Sequence, residues 1–293
     1  MKLIETLRIR ATSRVRREKA RLGLGQRPAR LDIRLDGFDA PLAGDMPGLT
    51  LEAWQERVVE LLQWAGPMPV RITAHAGHAL LPDLVRFCHR LEMPVTVRTG
   101  PDGLSGPRAE ELLDRGMQIC ELVATTLEGP GEEAVRALVH ARNSRGVPLT
   151  VHVHIPITEA SAAGARANFE AARGLGADGV VLCPPWQGLS LSATAGAAVA
   201  AALAEGWPLQ KTSAGAREVL GSMRAGGPGA PRKGGKCELG GLRLALLPDG
   251  KAVVCPFKPG MASGPLADSA GDLGAHRDAI RRCDRVCGHP ELV

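Results

Sequence analysis

Four short segments of this chain alternate strictly between aliphatic and polar or charged residues, and each is followed by a helical pattern. They are Leu31-Asp32-Ile33-Arg34-Leu35-Asp36, Val70-Arg71-Ile72-Thr73, Val95-Thr96-Val97-Arg98 and Val151-His152-Val153-His154-Ile155. A period of two puts successive side chains on opposite faces of a strand. Each strand therefore has one face of Leu, Ile or Val and another of Asp, Arg, Thr or His. Strands separated by helices pair in parallel through right-handed crossovers. When helices cover both faces of such a sheet, its strands read as continuous apolar runs. Here only one face can meet helices. The other must surround a polar space, because buried charges need partners or a ligand. An antiparallel sheet with one wet face would give the same alternation, but the strand–helix order disfavours it.

Two further strands, Cys120–Thr125 and Gly179–Cys183, bring the number to six. Helices are predicted from Leu51, with Thr50 as cap and Trp54, Val58, Leu61 and Ala65 on one face, and from Pro82. Others are predicted around Glu110–Leu113, over Glu132–Arg142 and Ala162–Arg173, and at about 192–204 and 214–224. The fold class is therefore α/β: a partial (β/α)6 TIM-like barrel of parallel strands. Asp32, Arg34, Asp36, Arg71, His75, Arg98, His152 and His154 are the candidate ligand-binding residues of its lumen, with Thr96 among them. Arg34, Arg71 and Arg98 are expected to pair with Asp32, Asp36 or Glu121, since an unpaired buried charge is costly. His75, His78, His152 and His154 lie near strand ends, where barrel active sites sit, as candidate acid–base groups or ligands.

Four regions are expected. Residues 1–29 form a basic amphipathic helix in which Ile4, Leu7, Ala11 and Val15 recur at helical spacing. The first 30 residues hold ten Lys and Arg against two acids, while the whole chain carries a net charge of only +5. Such a helix either packs, solvated, on the body or docks to a partner or a membrane surface. The barrel occupies 30–225, a Gly/Pro linker (GGPGAPRKGGK) 226–236, and a small Cys-rich β-hairpin/helix extension 237–293. Within the extension, GLRLALLPDGKAVVCPF reads as a hairpin turning at Pro248-Asp249-Gly250, with a helix near Gly274–Arg282. No stretch reaches the roughly 20 apolar residues a bilayer span needs. Nor does the chain start with an uninterrupted hydrophobic signal region, so a cytoplasmic location is expected. With four Phe, four Trp and no Tyr, the chain lacks the aromatic surface on which single-stranded nucleic acids stack, and no nucleic-acid partner is expected.

Five segments, in this order and spacing, resemble the radical S-adenosylmethionine (SAM) superfamily over nearly all of the chain after residue 30. LTLEAWQERVVELLQ is similar to the family's first barrel helix, and HAGHALLPDLVRFCHR stands where it has GGEP followed by LL-x-PDL. VTVRTG is similar to the third strand and its TNG turn, TTLEG to the fourth strand's S-x-D-G, and GLGADGVVLCPP to the sixth strand. The resemblance implies a catalytic 4Fe–4S cluster on C-x3-C-x2-C after the first strand, with one iron open to chelate SAM. The corresponding loop here, Gly37-Phe38-Asp39-Ala40-Pro41-Leu42-Ala43-Gly44-Asp45, has no cysteine. In the family the GGEP backbone helps hold the cofactor's amine. Its replacement by His75-Ala76-Gly77-His78 argues against tight SAM binding. Cys88, Cys120 and Cys183 read as packing residues.

The tail departs less. Cys237, twelve residues, Gly250, four residues and Cys255 resemble the opening of the SPASM/twitch extension, and Cys283 and Cys287 complete a set of four. The resemblance implies one auxiliary 4Fe–4S cluster on Cys237, Cys255, Cys283 and Cys287, since such clusters are commonly held by four thiolates. Zinc is the alternative, although it favours paired short spacings. Three functions are then open. The chain is a non-radical iron–sulfur relative that binds a ligand, a peptide or a partner enzyme; or an enzyme with other chemistry in its polar lumen; or a radical enzyme with unusual cluster ligands. The missing cysteines favour the first.

Overall fold

The computed structural model describes residues 30–38, 48–156, 161, 164–183, 197 and 243–253. The expected helices at 1–29, 214–224 and 274–282, all but one residue of that at 192–204, and the linker at 226–236 lie outside them. So do Cys237, Cys255, Cys283 and Cys287.

Strand and helix alternate as the sequence pattern requires: β1 (Arg30–Arg34), α1 (Leu51–Ala65), β2 (Val70–Thr73), α2 (Leu81–Arg90), β3 (Val95–Thr99), α3 (Gly106–Asp114) and β4 (Ile119–Val123). They continue with α4 (Pro130–Arg145), β5 (Thr150–Pro156), α5 (Ala165–Gly174), β6 (Gly179–Cys183), β7 (Arg243–Leu246) and β8 (Ala252–Val253). The Thr50 hydroxyl accepts from Ala53 N at 3.3 Å and starts α1, and Ser105 does the same for α3 through Arg108 N. Helix α4 runs beyond the expected Arg142 to Arg145, where Gly146 takes the left-handed conformation (φ 61°) that closes a helix.

The sheet runs β6-β5-β4-β3-β2-β1-β7-β8, with the first seven strands parallel and β8 antiparallel to β7. It is open: among the described residues β6 and β8 are its two edges. Six of the parallel strands are those expected. The seventh, β7, comes from the tail and pairs with β1, Leu31 opposite Leu244 and Ile33 opposite Leu246. Its Leu244 and Leu246 extend the aliphatic face of β1 by one strand, and both are buried. The hairpin forms where expected, with Ala245 opposite Val253. At its turn Gly250 has φ 77°, and a Cβ there would come within 2.6 Å of Leu49 Cδ1, so both conformation and space require glycine.

One core fills the space between sheet and helices. Leu31, Ile33, Val70, Ile72, Val95, Val97, Cys120, Leu122, Val151 and Val153 share it with Trp54, Val58 and Leu61 of α1, Leu84 and Val85 of α2, Leu112 of α3 and Leu138 of α4. The expected stripe on α1 is thus buried at Trp54, Val58 and Leu61.

Candidate functional site

The alternation that sends those aliphatics to the helices sends the charged residues to the concave face, and the register lines them up across strands. Asp32 lies opposite Arg71, and Arg71 opposite Thr96. One step nearer the strand ends, Arg34, Thr73, Arg98, Glu121 and His152 form a continuous row from β1 to β5. His154 lies a further step on, opposite Val123.

The side chains are linked. Arg71 Nη2 donates to Asp32 Oδ2 at 2.9 Å and its Nη1 to Glu121 Oε2 at 3.4 Å. Arg98 Nη1 reaches the same Glu121 oxygen at 3.2 Å and His154 Nδ1 at 2.8 Å. Arg30 Nε closes the other end on Asp32 Oδ1 at 3.1 Å. The chain Arg30–Asp32–Arg71–Glu121–Arg98–His154 thus crosses from β1 to β5. Arg34, Arg71 and Arg98 are each 1% exposed, Asp32 5% and His154 6%. Charges so deeply buried persist only with partners close by. In the bond to Arg98, which cannot lose its proton, His154 Nδ1 is the acceptor, so the neutral ring carries its proton on Nε2.

The structure therefore brings together Asp32, Arg71, Arg98 and His154, with Arg34, Thr96 and the half-buried His152 at flanking positions of the same face. Asp36 and His75 are not part of this chain. They meet at its mouth, just beyond the ends of β1 and β2. Asp36 Oδ1 accepts from Phe38 N at 2.9 Å, and Oδ2 accepts from His75 N at 2.9 Å and lies 3.0 Å from His75 Nδ1. The Phe38 ring stands edge-on to His75, centroids 5.1 Å apart, and lies over Gly100 at the end of β3, where a Cβ would come within 3.0 Å of it. Asp36 thus engages His75 and Phe38 rather than an arginine among the described residues.

Arg108 is a member of this site that sequence reasoning missed. From the first turn of α3 its Nε donates to Ala76 O and its Nη2 to His78 O, both at 2.7 Å, clamping the turn between β2 and α2. Nothing in the local pattern marks it, since it is one arginine in a helix start 32 and 30 residues from its acceptors. His78 Nδ1 accepts from Leu80 N at 3.3 Å. Burial lowers its pKa; Asp36 opposes this, while His75 and Arg108 push the same way. Its ring stays neutral near pH 7, with the proton on Nε2.

The described thiols lie elsewhere. Cys88 and Cys120 are fully buried in the helix-side core, and burial pushes each thiol up to about 12. Among the described residues no three His, Cys, Asp or Glu side chains are grouped as a metal ion requires. A groove of about 620 Å³, lined by Glu132, Arg136, His140 and Asn143 of α4, Ala171 of α5 and Leu175 just after it, lies on the outer helical layer, away from the polar face.

The fold matches known structures. The chain superimposes on Streptococcus suis SuiB bound to S-adenosylmethionine with a TM-score of 0.62 at 12% identity, covering 95% of this chain and 73% of that one. Against SuiB bound to precursor peptide SuiA the TM-score is 0.63 at 11% identity, over 89% of this chain and 68% of that one. SuiB is a radical SAM enzyme, and the protein has a radical-SAM-type fold, a parallel sheet alternating with helices and left open as a partial barrel. No protein-family model matches the sequence, and no curated protein matches it.

Among the described residues, the groups just beyond β1 and β2 supply oxygen and nitrogen donors. They are the carboxylate of Asp36 and the imidazole of His75, already joined to each other, and the sequence of residues 37–45 contains no cysteine. The carbonyls of Ala76 and His78 accept from the Arg108 cation, whose charge repels an ammonium group. Among the described residues, no helix is long and apolar enough to cross a membrane.

Proposed function

We propose that the protein is a non-radical relative of the radical SAM enzymes that binds a peptide or a partner enzyme, with one auxiliary 4Fe–4S cluster on Cys237, Cys255, Cys283 and Cys287. The observation that supports the reading is the site beyond β1, where Asp36 binds His75 and the Phe38 ring stands edge-on to it, next to a segment, 37–45, that contains no cysteine. SuiB bound to its precursor peptide is a precedent for a peptide on this scaffold. The basic segment 1–29 supplies a docking element for an acidic partner or membrane surface, and reduced thiols fit a cytoplasmic location. A cluster with four protein thiolates has no open iron. It serves electron transfer or stiffens the tail.

Anaerobic purification with iron, sulfide and zinc analysis tests the cluster. About four irons and four sulfides per chain are expected, and one stoichiometric zinc in a colourless protein would replace the cluster by a zinc staple. Reduced, reconstituted protein incubated with SAM tests the rest. Formation of 5′-deoxyadenosine above the level of a variant lacking all four tail cysteines would show an open iron and restore the radical reading.

A further inference from the structure

We propose that the Asp36–His75 pair is a proton-transfer site at the mouth of the lumen, where His75 Nε2 acts as general base in the hydrolysis of an acyl compound, an ester or a thioester. The inference does not depend on the tail cluster, but it uses the same Asp36–His75 unit on which the reading above rests.

Three features carry it. First, the ring is oriented. Asp36 Oδ2 lies 3.0 Å from His75 Nδ1 and 2.9 Å from the backbone N of the same residue, and its Oδ1 is fixed by Phe38 N at 2.9 Å. A carboxylate on Nδ1 selects the tautomer with its proton there and leaves the Nε2 lone pair open, the role of the carboxylate in hydrolytic triads. Second, the ring is reachable: the His75 side chain is 59% exposed, whereas His154 is buried with Nδ1 tied to Arg98. Third, the same turn carries a donor. Burial, with His75 and Arg108, lowers the pKa of His78 against the opposing Asp36, and its Nδ1 accepts from Leu80 N, so Nε2–H is the donor available to a carbonyl oxygen. An acceptor nitrogen and a donor imidazole three residues apart, at the carboxyl ends of parallel strands, make an acid–base pair where barrel enzymes place theirs.

The step balances without another reactant. A water O–H bond breaks and its proton passes to His75 Nε2. The water oxygen bonds to the acyl carbon, and the carbonyl electron pair moves onto an oxygen facing the His78 donor. Collapse re-forms the carbonyl and breaks the bond to the leaving group, which takes the proton back from Nε2. Asp36 is a positioning residue; it also stabilises the transient imidazolium.

The test uses the full chain and p-nitrophenyl acetate, followed by release of p-nitrophenolate across the range in which imidazole titrates. Wild type should exceed an equal concentration of free imidazole, with a rate that rises as one imidazole loses its proton. His75→Gln should lower the rate by about tenfold or more, given what a positioned base contributes. Asp36→Asn should also lower it and move the pH profile, a change that loss of a loop staple alone would not cause. His89→Gln and His140→Gln, at exposed histidines on α2 and α4, should leave the rate unchanged. Thermal melts of each variant separate unfolding from loss of the base. Equal rates for wild type and a folded His75→Gln variant would overturn the proposal, and an unmoved profile in a folded Asp36→Asn variant would remove Asp36 from it.

Discussion

Arg71 and Ile72 follow one another in β2 and are 1% and 0% exposed, yet they depend on different neighbours. Ile72 lies in the core that the helices close, where any aliphatic side chain of the right volume serves. Arg71 lies in the lumen, where its two carboxylate partners come from strands on either side, Asp32 from β1 and Glu121 from β4. The helix side is cohesive without being specific. The lumen side tolerates burial only because a few groups meet in one geometry. Removing a member of the second kind leaves a charge stranded, whereas removing one of the first leaves a void.

The comparison can be broken experimentally. Glu121→Ala, which takes away the oxygen shared by Arg71 and Arg98, should cost about 3–5 kcal/mol in urea denaturation, and Glu121→Gln less. A loss under about 1 kcal/mol would mean that the ladder is not what keeps the arginines buried. Ile72→Ala should cost about 2–5 kcal/mol through lost transfer and cavity terms, with the ladder intact. If it instead disrupted the lumen pairs, as seen in guanidinium proton NMR, the two faces would not be independent.

Alkaline pH sharpens the contrast. Cys88 and Cys120 are held protonated up to about 12, whereas an unfolded thiol ionises near its ordinary value of 9.0. Between those values the folded state binds more protons, so the thiols' contribution is intact below pH 9 and is lost as pH rises through the folded value. Each should remove about 1.4 kcal/mol per pH unit in that window. Cys88→Ala should flatten the fall, and an unchanged slope would refute burial as the cause. The smallest effect belongs outside both faces. Glu132 and Arg136 pair at 2.6 Å on the exposed side of α4, and Glu132→Gln should cost only about 0.3–0.5 kcal/mol, a difference that salt removes. A larger, salt-independent loss would show that surface pairs here behave like the ladder.

The elements were legible because their signals are local. A period of two along Leu31–Asp36 or Val151–Ile155 reports facing within a handful of residues, and caps such as Thr50 and terminators such as Gly146 act within one turn. The site was legible in part. Asp32, Arg71, Arg98 and His154 do share one bonded chain, and Glu121 does serve the arginines. The pairing of Asp36 with His75 was not legible, since either residue fits several partners once both lie near strand ends. Arg108 carried no signal at all, because the carbonyls it clamps belong to a turn that any sequence with those backbone angles would present.

What the sequence determined by itself is the division of each strand into an aliphatic and a charged face, and hence a parallel sheet with helices on one side. That follows from the pleat, which fixes facing residue by residue without reference to the rest of the chain. What only the tertiary structure decided is which charges meet. The bonds that define the lumen and its mouth join residues 39, 50 and 56 positions apart. The tail strand β7 completes the sheet beside β1 from more than 200 positions away. Such contacts depend on register and on how far the sheet curves, and these are set by the packing of every element together.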